Sequence, residues 1–250
     1  MNKQPVLSII TVTYNAEKPL PFTLKSVAEQ TYPYIEYILI DGKSKDKTLA
    51  VIQESDVSID VLISEPDKGL YDAMNKGGAL ATGDYLCFLN AGDTFFAPDT
   101  VERMMKGIDT DKLPDVIYGE TALVNESRQF IGMRKHRAPE TLTWKSFLKG
   151  MLVCHQAFYV RRELFDPYDL SYRFSSDVDW CIRMLKKSNN NHNTHLTLIN
   201  FLSGGMTKTN QIASLKERFR IMAKHYGMGA TLVQHGKFAF NAVRKRIFGR

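Results

Sequence analysis

The sequence has few of the features that mark secreted, membrane-spanning or metal-thiolate proteins. Its three cysteines, Cys87, Cys154 and Cys181, lie far apart and form no CxxC pair. A disulfide framework or a thiolate metal site is therefore not expected, and a reducing, cytoplasmic compartment fits best. No apolar run approaches the roughly 18 residues of a membrane span, and no secretory signal pattern is recognised, so we expect neither secretion nor membrane insertion.

Other common signatures are also missing. With 16 glycines and 9 prolines in 250 residues, the chain is neither collagen-like nor of low complexity. Neither the P-loop nor the GxGxxG spacing occurs, so a nucleoside triphosphatase or a dinucleotide dehydrogenase is not indicated. What remains is an ordinary globular composition, 44% apolar and 24% charged, in a chain long enough for one α/β domain with a small appendage.

Charge is divided unevenly along the chain. Residues 211–250 contain nine Lys and Arg but a single acid, which gives them a net charge of +8, whereas residues 1–210 carry −2. A nucleic-acid-binding protein could use such a basic end, but the acidic body and the absence of a recognition motif argue against it. We therefore expect no nucleic-acid partner.

The first hundred residues alternate short apolar runs with longer helix-like segments. The runs are too short for isolated helices and nearly continuous in hydrophobicity, as in strands of a buried parallel sheet. The predicted strands are 6–12, 37–40, 59–63 and 85–89, and the predicted helices are 19–30, 44–54 and 69–81. This alternation indicates right-handed crossovers and a doubly wound α/β sheet.

Beyond Asp93 the pattern is less regular and predicts a mixed α+β half added to the same sheet. The predicted strands are 116–118, 129–133, 156–160 and 195–201, the predicted helices are 99–107 and 178–187, and a turn is expected over 189–193. No linker rich in proline, glycine or serine interrupts this half. We therefore expect one continuous domain, followed by a basic amphipathic helical tail.

Four polar residues follow the first four predicted strands at intervals of 26 positions: Asn15, Asp41, Asp67 and Asp93. The carboxyl ends of parallel strands meet at one edge of an open sheet, where such folds bind their ligands. The alternative is that each residue only caps the helix that follows it.

Two acidic positions are candidates for chemistry. Asp93 ends a strand-to-turn segment, and one well-placed carboxylate can hold Mg²⁺ together with substrate phosphates. Asp177 and Asp179 open a predicted helix and point in different directions, so one could act as a general base while the other stabilises the helix start. From the residues alone, helix capping is the commoner explanation for either acid.

Three further segments have two interpretations each. The start of the helix near Gly69 could bind a phosphate, or Asp72 and Lys76 could form only a surface pair. The 203–207 loop could close over phosphates or be a turn, and His155 with Gln156 could contact a ligand or form a core pair. A zinc site at His192 and His195 is disfavoured because no third ligand accompanies them.

Taken together and in order, these segments resemble the family 2 glycosyltransferases, inverting enzymes with the GT-A fold, and in particular bacterial members that act in capsule, exopolysaccharide or lipopolysaccharide assembly. The resemblance spans residue 6 to about residue 207. The segments that carry it are SIITVTYN at 8–15, IDGKSKDKT at 40–48, EPDKG at 65–69, YDAMNKG at 71–77, ATGD at 81–84, NAGD at 90–93 and SDVDW at 176–180.

The resemblance implies a role for individual residues. Thr11 and Tyr14 would shape the base pocket and Asp41 would accept a hydrogen bond from the base. The nucleotide site would also include Asn15, Asp67, Lys68, Asn75 and Asn90. Asp93 would contact the metal, Mg²⁺ or Mn²⁺, and Asp177 would be the catalytic base. The chain departs from the family pattern where Asn90 replaces the first acid of the Asp-x-Asp motif and where Ser176 replaces a frequent Glu.

The implied function is transfer of a sugar from a nucleotide-diphosphate sugar, with UDP as the expected nucleotide, to a glycan or lipid-linked acceptor. Residues 1–97 would form the nucleotide-binding half, residues 98–208 the acceptor-binding half and residues 209–250 the tail. The tail could lie on an anionic membrane at the inner face of the cytoplasmic membrane, or pack on the body. The alternatives are a non-catalytic nucleotide-sugar or glycan-binding protein and a sugar nucleotidyltransferase, although the usual glycine-rich start of the latter is missing.

Overall fold

The computed structural model describes residues 4–204 and 210–248. Its strands are β1 (Leu7–Thr13), β2 (Ile35–Asp41), β3 (Val61–Ser64), β4 (Tyr85–Phe88), β5 (Thr94–Phe95), β6 (Val116–Val124), β7 (Phe130–Met133), β8 (Phe158–Arg161) and β9 (Asn191–Leu202). Its α-helices are α1 (Leu20–Ala28), α2 (Thr48–Gln53), α3 (Leu70–Leu80), α4 (Thr100–Lys106), α5 (Ser176–Lys187), α6 (Gln211–Tyr226) and α7 (Met228–Phe248). Short 3₁₀ helices cover Trp144–Lys149, His155–Ala157 and Arg162–Leu164.

Within the described ranges the strands form one sheet, in the order β3-β2-β1-β4-β8-β6-β9-β5, with β7 paired to β6. The first four strands of this order are all parallel. Every residue of β1 and β4 is buried, which is why these strands read as continuous apolar runs in the sequence. The α/β prediction for the first half is confirmed, and the predicted strands and helices match the observed ones within a few residues.

The second half mixes strand directions, as expected. Strand β8 runs antiparallel to both β4 and β6, whereas β9 runs parallel to β6. The turn predicted over 189–193 is wrong in its second part, because β9 begins at Asn191, which pairs with Val116. Pairing with a neighbouring strand overrides the local turn preference of asparagine there. The two-residue strand β5 was not predicted, since two residues show no periodicity.

Helix α3 lies directly on the parallel strands because of Gly77. A Cβ atom at this position would come within 2.4 Å of Cγ2 of Ile10 and within 3.3 Å of Cγ1 of Ile40. Only glycine allows so close an approach of helix to sheet. The approach determines where Tyr71, in the first turn of α3, meets the second half of the molecule.

Helix α6 is attached to α5 through a buried acid. The Asp179 carboxylate is fully buried and contacts Arg183 Nε at 2.7 Å, Lys224 Nζ at 3.1 Å and His225 Nε2 at 2.8 Å. The same C-terminal end of α6 is also held by Tyr226, whose ring stacks on Trp144 with 5.5 Å between centroids. Packing on the body is therefore the observed arrangement of Gln211–Tyr226.

Helix α7 continues after Gly227 and contributes less to the core. Several of its large apolar side chains are exposed, namely Met228, Leu232, Val233 and Phe240. In the part of the chain that the structure describes, no helix combines the length and the hydrophobicity needed to cross a bilayer. The predicted boundary at 208/209 and most of the 203–207 loop lie outside the described residues, so the division into domains stays a prediction.

The contacts of Asp179 with Arg183, Lys224 and His225, called here the Asp179 cluster, should stabilise the packing of α6 on α5. Burial alone would raise the pKa of the Asp179 carboxyl, but hydrogen bonds from His225, Arg183 and Lys224 hold it well below its ordinary value. We expect Asp179→Ala to lower the free energy of unfolding by about 3 to 5 kcal/mol, because the cations lose their buried partner. Urea unfolding at pH 7 measures this loss.

The same cluster predicts a pH dependence. Since the folded-state pKa is depressed, the stabilisation is complete above the ordinary Asp pKa of about 4 and is lost as the pH falls below it. The difference between wild type and Asp179→Ala should therefore shrink as the pH falls from about 5 to about 2. The control is Asp166→Ala, which removes a half-exposed partner of the same Arg183 and should cost less than about 1 kcal/mol. Equal losses in the two variants would contradict the prediction.

Candidate active site

The four polar positions spaced by 26 residues come together at one edge of the sheet. Strands β3, β2, β1 and β4 are adjacent and parallel, and Thr13 at the end of β1 is paired with Asp41 at the end of β2. The loops that follow these strands therefore share the carboxyl edge, as predicted. Two groups of side chains can be distinguished along this edge.

The first group surrounds Asp41 at the end of β2. Its carboxylate is fully buried and accepts hydrogen bonds from Ser64 Oγ at 2.6 Å, from Ser44 N at 3.0 Å and from Ser44 Oγ. Asn15 has a positive φ of 48°, and its Oδ1 accepts a hydrogen bond from Lys45 N at 2.8 Å. These bonds tie the loops after β1 and β2 to each other.

Tyr14 and Asp67 meet over the backbone of Gly42. A Cβ atom at Gly42 would come within 2.4 Å of Asp67 Oδ2 and within 3.3 Å of Tyr14 Cδ2. The Tyr14 side chain is 58% exposed, and Asp67 Oδ1 is held by Gly69 N at 2.8 Å. An exposed aromatic ring beside a fixed carboxylate is a suitable surface for a flat heterocycle with N–H donors.

Three residues predicted for the nucleotide site do not belong to this group around Asp41, Tyr14 and Asp67. Thr11 is fully buried, and its hydroxyl accepts a hydrogen bond from Tyr37 at 3.0 Å. Asn75 uses its whole amide on the backbone of Tyr168, donating at 3.0 Å and accepting at 2.6 Å. The backbone N–H of exposed Lys68 donates to Asp72 Oδ2 at 2.9 Å. In this structure Thr11 and Asn75 thus make hydrogen bonds within the protein scaffold below the carboxyl edge of the sheet. Lys68 lies on the protein surface.

The second group is built on the turn from Asn90 to Asp93. The turn is closed by Asp93 N donating to Asn90 O at 2.9 Å, and Thr23 of α1 holds it by donating to Asp93 O at 2.8 Å. Gly92 supplies a φ of 105° that other residues rarely adopt. Asn90 Oδ1 is buried and has no hydrogen-bond partner in the described chain.

Asp93 is only 4% exposed. Its Oδ2 accepts a hydrogen bond from Gln156 Nε2 at 2.8 Å, and its Oδ1 accepts one from Leu202 N at 2.8 Å. Burial raises the pKa of this carboxyl to about 7, against the opposing effect of those hydrogen bonds and of the nearby Arg128 charge. A cation would therefore stabilise the ionised form of Asp93.

Arg128 was not singled out in the sequence. It lies in the turn between β6 and β7, donates to Gly92 O, and stacks over the Phe22 ring at 4.0 Å. A lone arginine in a polar turn gives no local signal, so only the pairing of β6 with β7 reveals its place beside Asp93. Gln156, which had been considered as either a ligand contact or a core residue, proves to be a hydrogen-bond partner of Asp93.

Asp177 lies in the first turn of α5 and faces a different set of partners from Asp179. Its Oδ1 accepts a hydrogen bond from Tyr71 Oη at 3.1 Å, and its Oδ2 lies 3.7 Å from His155 Nδ1. Burial is the main cause that raises the pKa of Tyr71 well above its usual value, so the phenol stays a donor. Tyr71 in turn stacks on Tyr168, with 5.3 Å between ring centroids. Of the two acids considered, Asp177 is the one that borders the site.

Two consecutive residues, His155 and Gln156, connect Asp177 with Asp93. His155 contacts Asp177 and Gln156 contacts Asp93, so a single 3₁₀ turn spans the space between the carboxylates. His155 is buried, and burial is the main cause that lowers the pKa of its imidazole. Asp93 and Asp177 thus belong to one site.

The described residues contain no group of three or more His, Cys, Asp and Glu side chains that could hold a metal ion. Of the two histidines considered for zinc, His195 lies 3.5 Å from Glu140. The hard oxygen atoms of Asn90 and Asp93 are nevertheless compatible with a divalent cation. Such a cation would have to take its other ligands from phosphate and water, as Mg²⁺ commonly does.

Comparison with known proteins identifies the family. The sequence model of glycosyl transferase family 2 matches residues 8–168. A PGL/p-HBAD biosynthesis glycosyltransferase of Mycobacterium bovis is 35% identical over 185 residues, which cover 72% of this chain and 69% of that protein. TuaG of Bacillus subtilis, named provisionally as a teichuronic acid biosynthesis glycosyltransferase, is 27% identical over 98% of this chain and 99% of its own.

Solved structures share the fold at low sequence identity. Staphylococcus aureus TarS, residues 1–349, superposes with a TM-score of 0.70 at 15% identity, covering 96% of this chain and 74% of that one. The same TarS fragment in complex with UDP-GlcNAc gives a TM-score of 0.65 at 15% identity, covering 93% and 73%. A mannosyltransferase of Pyrobaculum calidifontis, in complex with GDP-Man and Mn²⁺, gives 0.63 at 16% identity, covering 95% and 76%.

The fold expected from the sequence, a GT-A fold with a helical C-terminal region, is therefore confirmed. The family match covers well over half of the chain and includes the edge on which both groups of site residues lie. The chain belongs to glycosyltransferase family 2 and is a glycosyltransferase.

Proposed function

We propose that this glycosyltransferase moves a sugar from a nucleotide-diphosphate sugar to a hydroxyl of a glycan or lipid-linked acceptor, with inversion, in surface polysaccharide synthesis. The observation that carries the proposal is the pair of acids, Asp93 and Asp177, joined by His155 and Gln156 at the carboxyl edge of the sheet. The names of the mycobacterial and Bacillus relatives support a role in cell-surface glycans.

The donor nucleotide binds at the first group of residues. Its base stacks on exposed Tyr14 and reaches the carboxylates of Asp41 and Asp67, whose orientations are held by neighbouring donors. Uracil, with an N–H donor in the plane of its ring, suits a carboxylate partner. The TarS complex with UDP-GlcNAc supports UDP as the nucleotide. Asn15 and Lys68 lie in the surrounding loops.

The diphosphate binds at the second group, where Asn90 and Asp93 would hold Mg²⁺ or Mn²⁺. The mannosyltransferase complex with GDP-Man and Mn²⁺ supports a divalent ion. When bound, such an ion stabilises the negative charge that develops on the leaving diphosphate. Arg128, beside Asp93, adds a fixed positive charge to the same region.

Asp177 acts as the general base. Its carboxylate takes the proton of the acceptor hydroxyl, the hydroxyl oxygen forms a bond to the anomeric carbon, and the bond from that carbon to the diphosphate breaks. Because attack and departure occur on opposite faces of the sugar, the anomeric configuration inverts in one step. Tyr71 and His155 keep the carboxylate directed into the site, so that positioning supplies much of the acceleration.

Helix α7 is proposed to lie on the anionic inner face of the cytoplasmic membrane. This position would bring a lipid-linked acceptor to the site. Exposed Leu232, Val233 and Phe240 occur on the same helix as exposed Lys237 and Arg244. Apolar and cationic side chains in one exposed helix are typical of interfacial helices.

Substitution of Asp177 and of Asp93 should impair different steps, sugar transfer and metal-dependent UDP binding respectively. We expect Asp177→Asn to bind UDP with unchanged affinity but to lose sugar transfer by about 100-fold or more, because the base is gone. Asp93→Ala should lose the dependence of UDP binding on Mn²⁺. Calorimetric titration with UDP, with and without Mn²⁺, and a donor-turnover assay measure the two effects.

Asp56→Asn, an exposed change of the same kind, is the control and should alter neither quantity. Full transfer activity in Asp177→Asn would remove Asp177 as the base. UDP binding by the wild type without any donor hydrolysis or transfer would favour the non-catalytic alternative.

Gly42 tests the nucleotide pocket. An alanine Cβ would displace the Asp67 carboxylate and press on Tyr14, so Gly42→Ala should weaken UDP binding by roughly fivefold, the equivalent of one lost hydrogen bond. Stability should change by less than about 1 kcal/mol, because a flexible carboxylate can move aside.

The control for this change is Gly83→Ala, whose Cβ would come within 2.8 Å of the backbone oxygen of Val6. It should destabilise the fold by about 1 to 3 kcal/mol while leaving the UDP affinity of the folded protein unchanged. The pocket assignment is wrong if both glycine variants bind UDP like the wild type.

Removal of residues 236–250 should weaken binding to vesicles containing anionic lipid at low salt, and Lys237→Gln with Arg244→Gln should do so by about 1 kcal/mol per charge. Vesicle co-sedimentation measures both. Lys112→Gln with Lys149→Gln, two exposed changes on the body, serves as the matched charge control. Unchanged sedimentation of the shortened protein would refute the membrane role of α7.

A further inference from the structure

A group of basic side chains, two arginines and one histidine, has no anionic partner among the described residues. Arg134 and His136 follow β7, two positions apart, and Arg218 belongs to α6. We call these three residues the basic cluster. The His136 ring lies against the backbone of Gly150, since its Nε2 is 3.7 Å from where a Cβ of that glycine would be.

The packing of α6 brings the parts of this cluster together. Gly150 ends the 3₁₀ turn that begins at Trp144, and Trp144 stacks on Tyr226 of α6. In accordance with this placement, the pKa of His136 is lowered by burial and then by the charges of Arg134, Lys135 and Arg218, with no acid among the causes.

Each arginine of the cluster has one buried nitrogen atom without a hydrogen-bond partner among the described residues. These atoms are Nη1 of Arg134 and Nε of Arg218. Other arginines of the chain are paired, for example Arg183 with Asp179 and Arg137 with Glu120. Leaving buried N–H groups of a guanidinium without an acceptor is costly, and sites that bind an anion are where proteins keep such groups.

The basic cluster borders the acceptor side of the site. Arg134 is close enough to His155 to lower the pKa of that imidazole, after burial itself, and His155 lies 3.7 Å from Asp177. Arg218 follows Glu217, whose carboxylate accepts hydrogen bonds at 2.8 Å from the backbone N–H groups of residues 173 and 174, just before α5. The segment that leads into the helix of Asp177 is therefore bound by Glu217, the neighbour of Arg218 in the chain.

Two further observations bear on what binds there. His155 Nε2 is buried and unpartnered in the described chain, which leaves a donor or acceptor free on the ring whose other nitrogen faces Asp177. The leaving diphosphate already has a separate cation, Arg128, next to Asp93. Arg128 would thus supply a positive charge for the donor independently of the basic cluster.

We propose that Arg134, His136 and Arg218 bind an oxyanion of the acceptor, a phosphate or a carboxylate, next to the hydroxyl that Asp177 deprotonates. This inference rests on the proposed function, because it assumes that Asp177 faces the acceptor. The planar guanidinium groups match the geometry of either oxyanion through paired N–H donors. The acceptor is then an anionic glycan or a phosphate-linked sugar and not a neutral one.

The test is calorimetric titration of the UDP- and Mn²⁺-saturated protein with three probes on the same sugar: methyl glucoside, methyl glucuronide and glucose 1-phosphate. We expect the two anionic probes to bind at least about tenfold more tightly than the neutral one, and Arg134→Gln and Arg218→Gln to abolish the difference. The stronger of the two anionic probes identifies the source of the oxyanion. Lys216→Gln, an exposed charge removal on the same helix, should change binding less than twofold.

Arg134→Lys and Arg218→Lys keep the charge and should retain part of the preference, which separates a binding role from loss of folding. Equal binding of all three probes, or equal loss in Lys216→Gln, overturns the inference. It is also overturned if the arginine variants weaken UDP binding instead, because the cluster would then serve the donor. Failure of the wild type to bind UDP or turn over any UDP-sugar would instead contradict the proposed function.

Discussion

The site depends on a single short turn. His155 and Gln156 contact Asp177 and Asp93 respectively, so the distance between the two acids is determined by consecutive residues of one 3₁₀ helix. Both side chains are buried, and a buried polar contact has few alternative geometries because any other arrangement leaves a donor unsatisfied. The turn leads into β8, the strand that connects the parallel half of the sheet to the mixed half. The same turn therefore determines both how the two halves of the sheet are placed and how far apart the two acids lie.

The environments of the two acids differ, and the difference suits their proposed roles. Asp93 is almost completely buried, and burial raises the pKa of its carboxyl to about 7, so its ionised form is stabilised by a nearby positive charge. Asp177 is more accessible and is oriented by a phenol and an imidazole. One acid is placed to interact with charge and the other to exchange a proton, which is how carboxylates in one site commonly divide their work.

The C-terminal region completes the site as well as covering the body. Asp179 of α5 fixes α6 through Lys224 and His225, and Glu217 and Ser214 of α6 contact the segment that precedes α5. A segment whose sequence left open whether it lies on an anionic surface or packs on the body thus packs on the body over Gln211–Tyr226.

The sequence by itself determined the alternation of strands and helices in the first half, because strands buried on both faces must be apolar, and it determined that Asn15, Asp41, Asp67 and Asp93 share one edge. Its motifs were also sufficient to indicate the family. Only the tertiary structure decided that Thr11 and Asn75 bond within the scaffold, that β9 begins at Asn191, and that Arg128 lies near Asp93. The physical reason is that these contacts join residues distant in sequence, so no local periodicity records them, whereas burial and strand pairing act on every short segment of the chain.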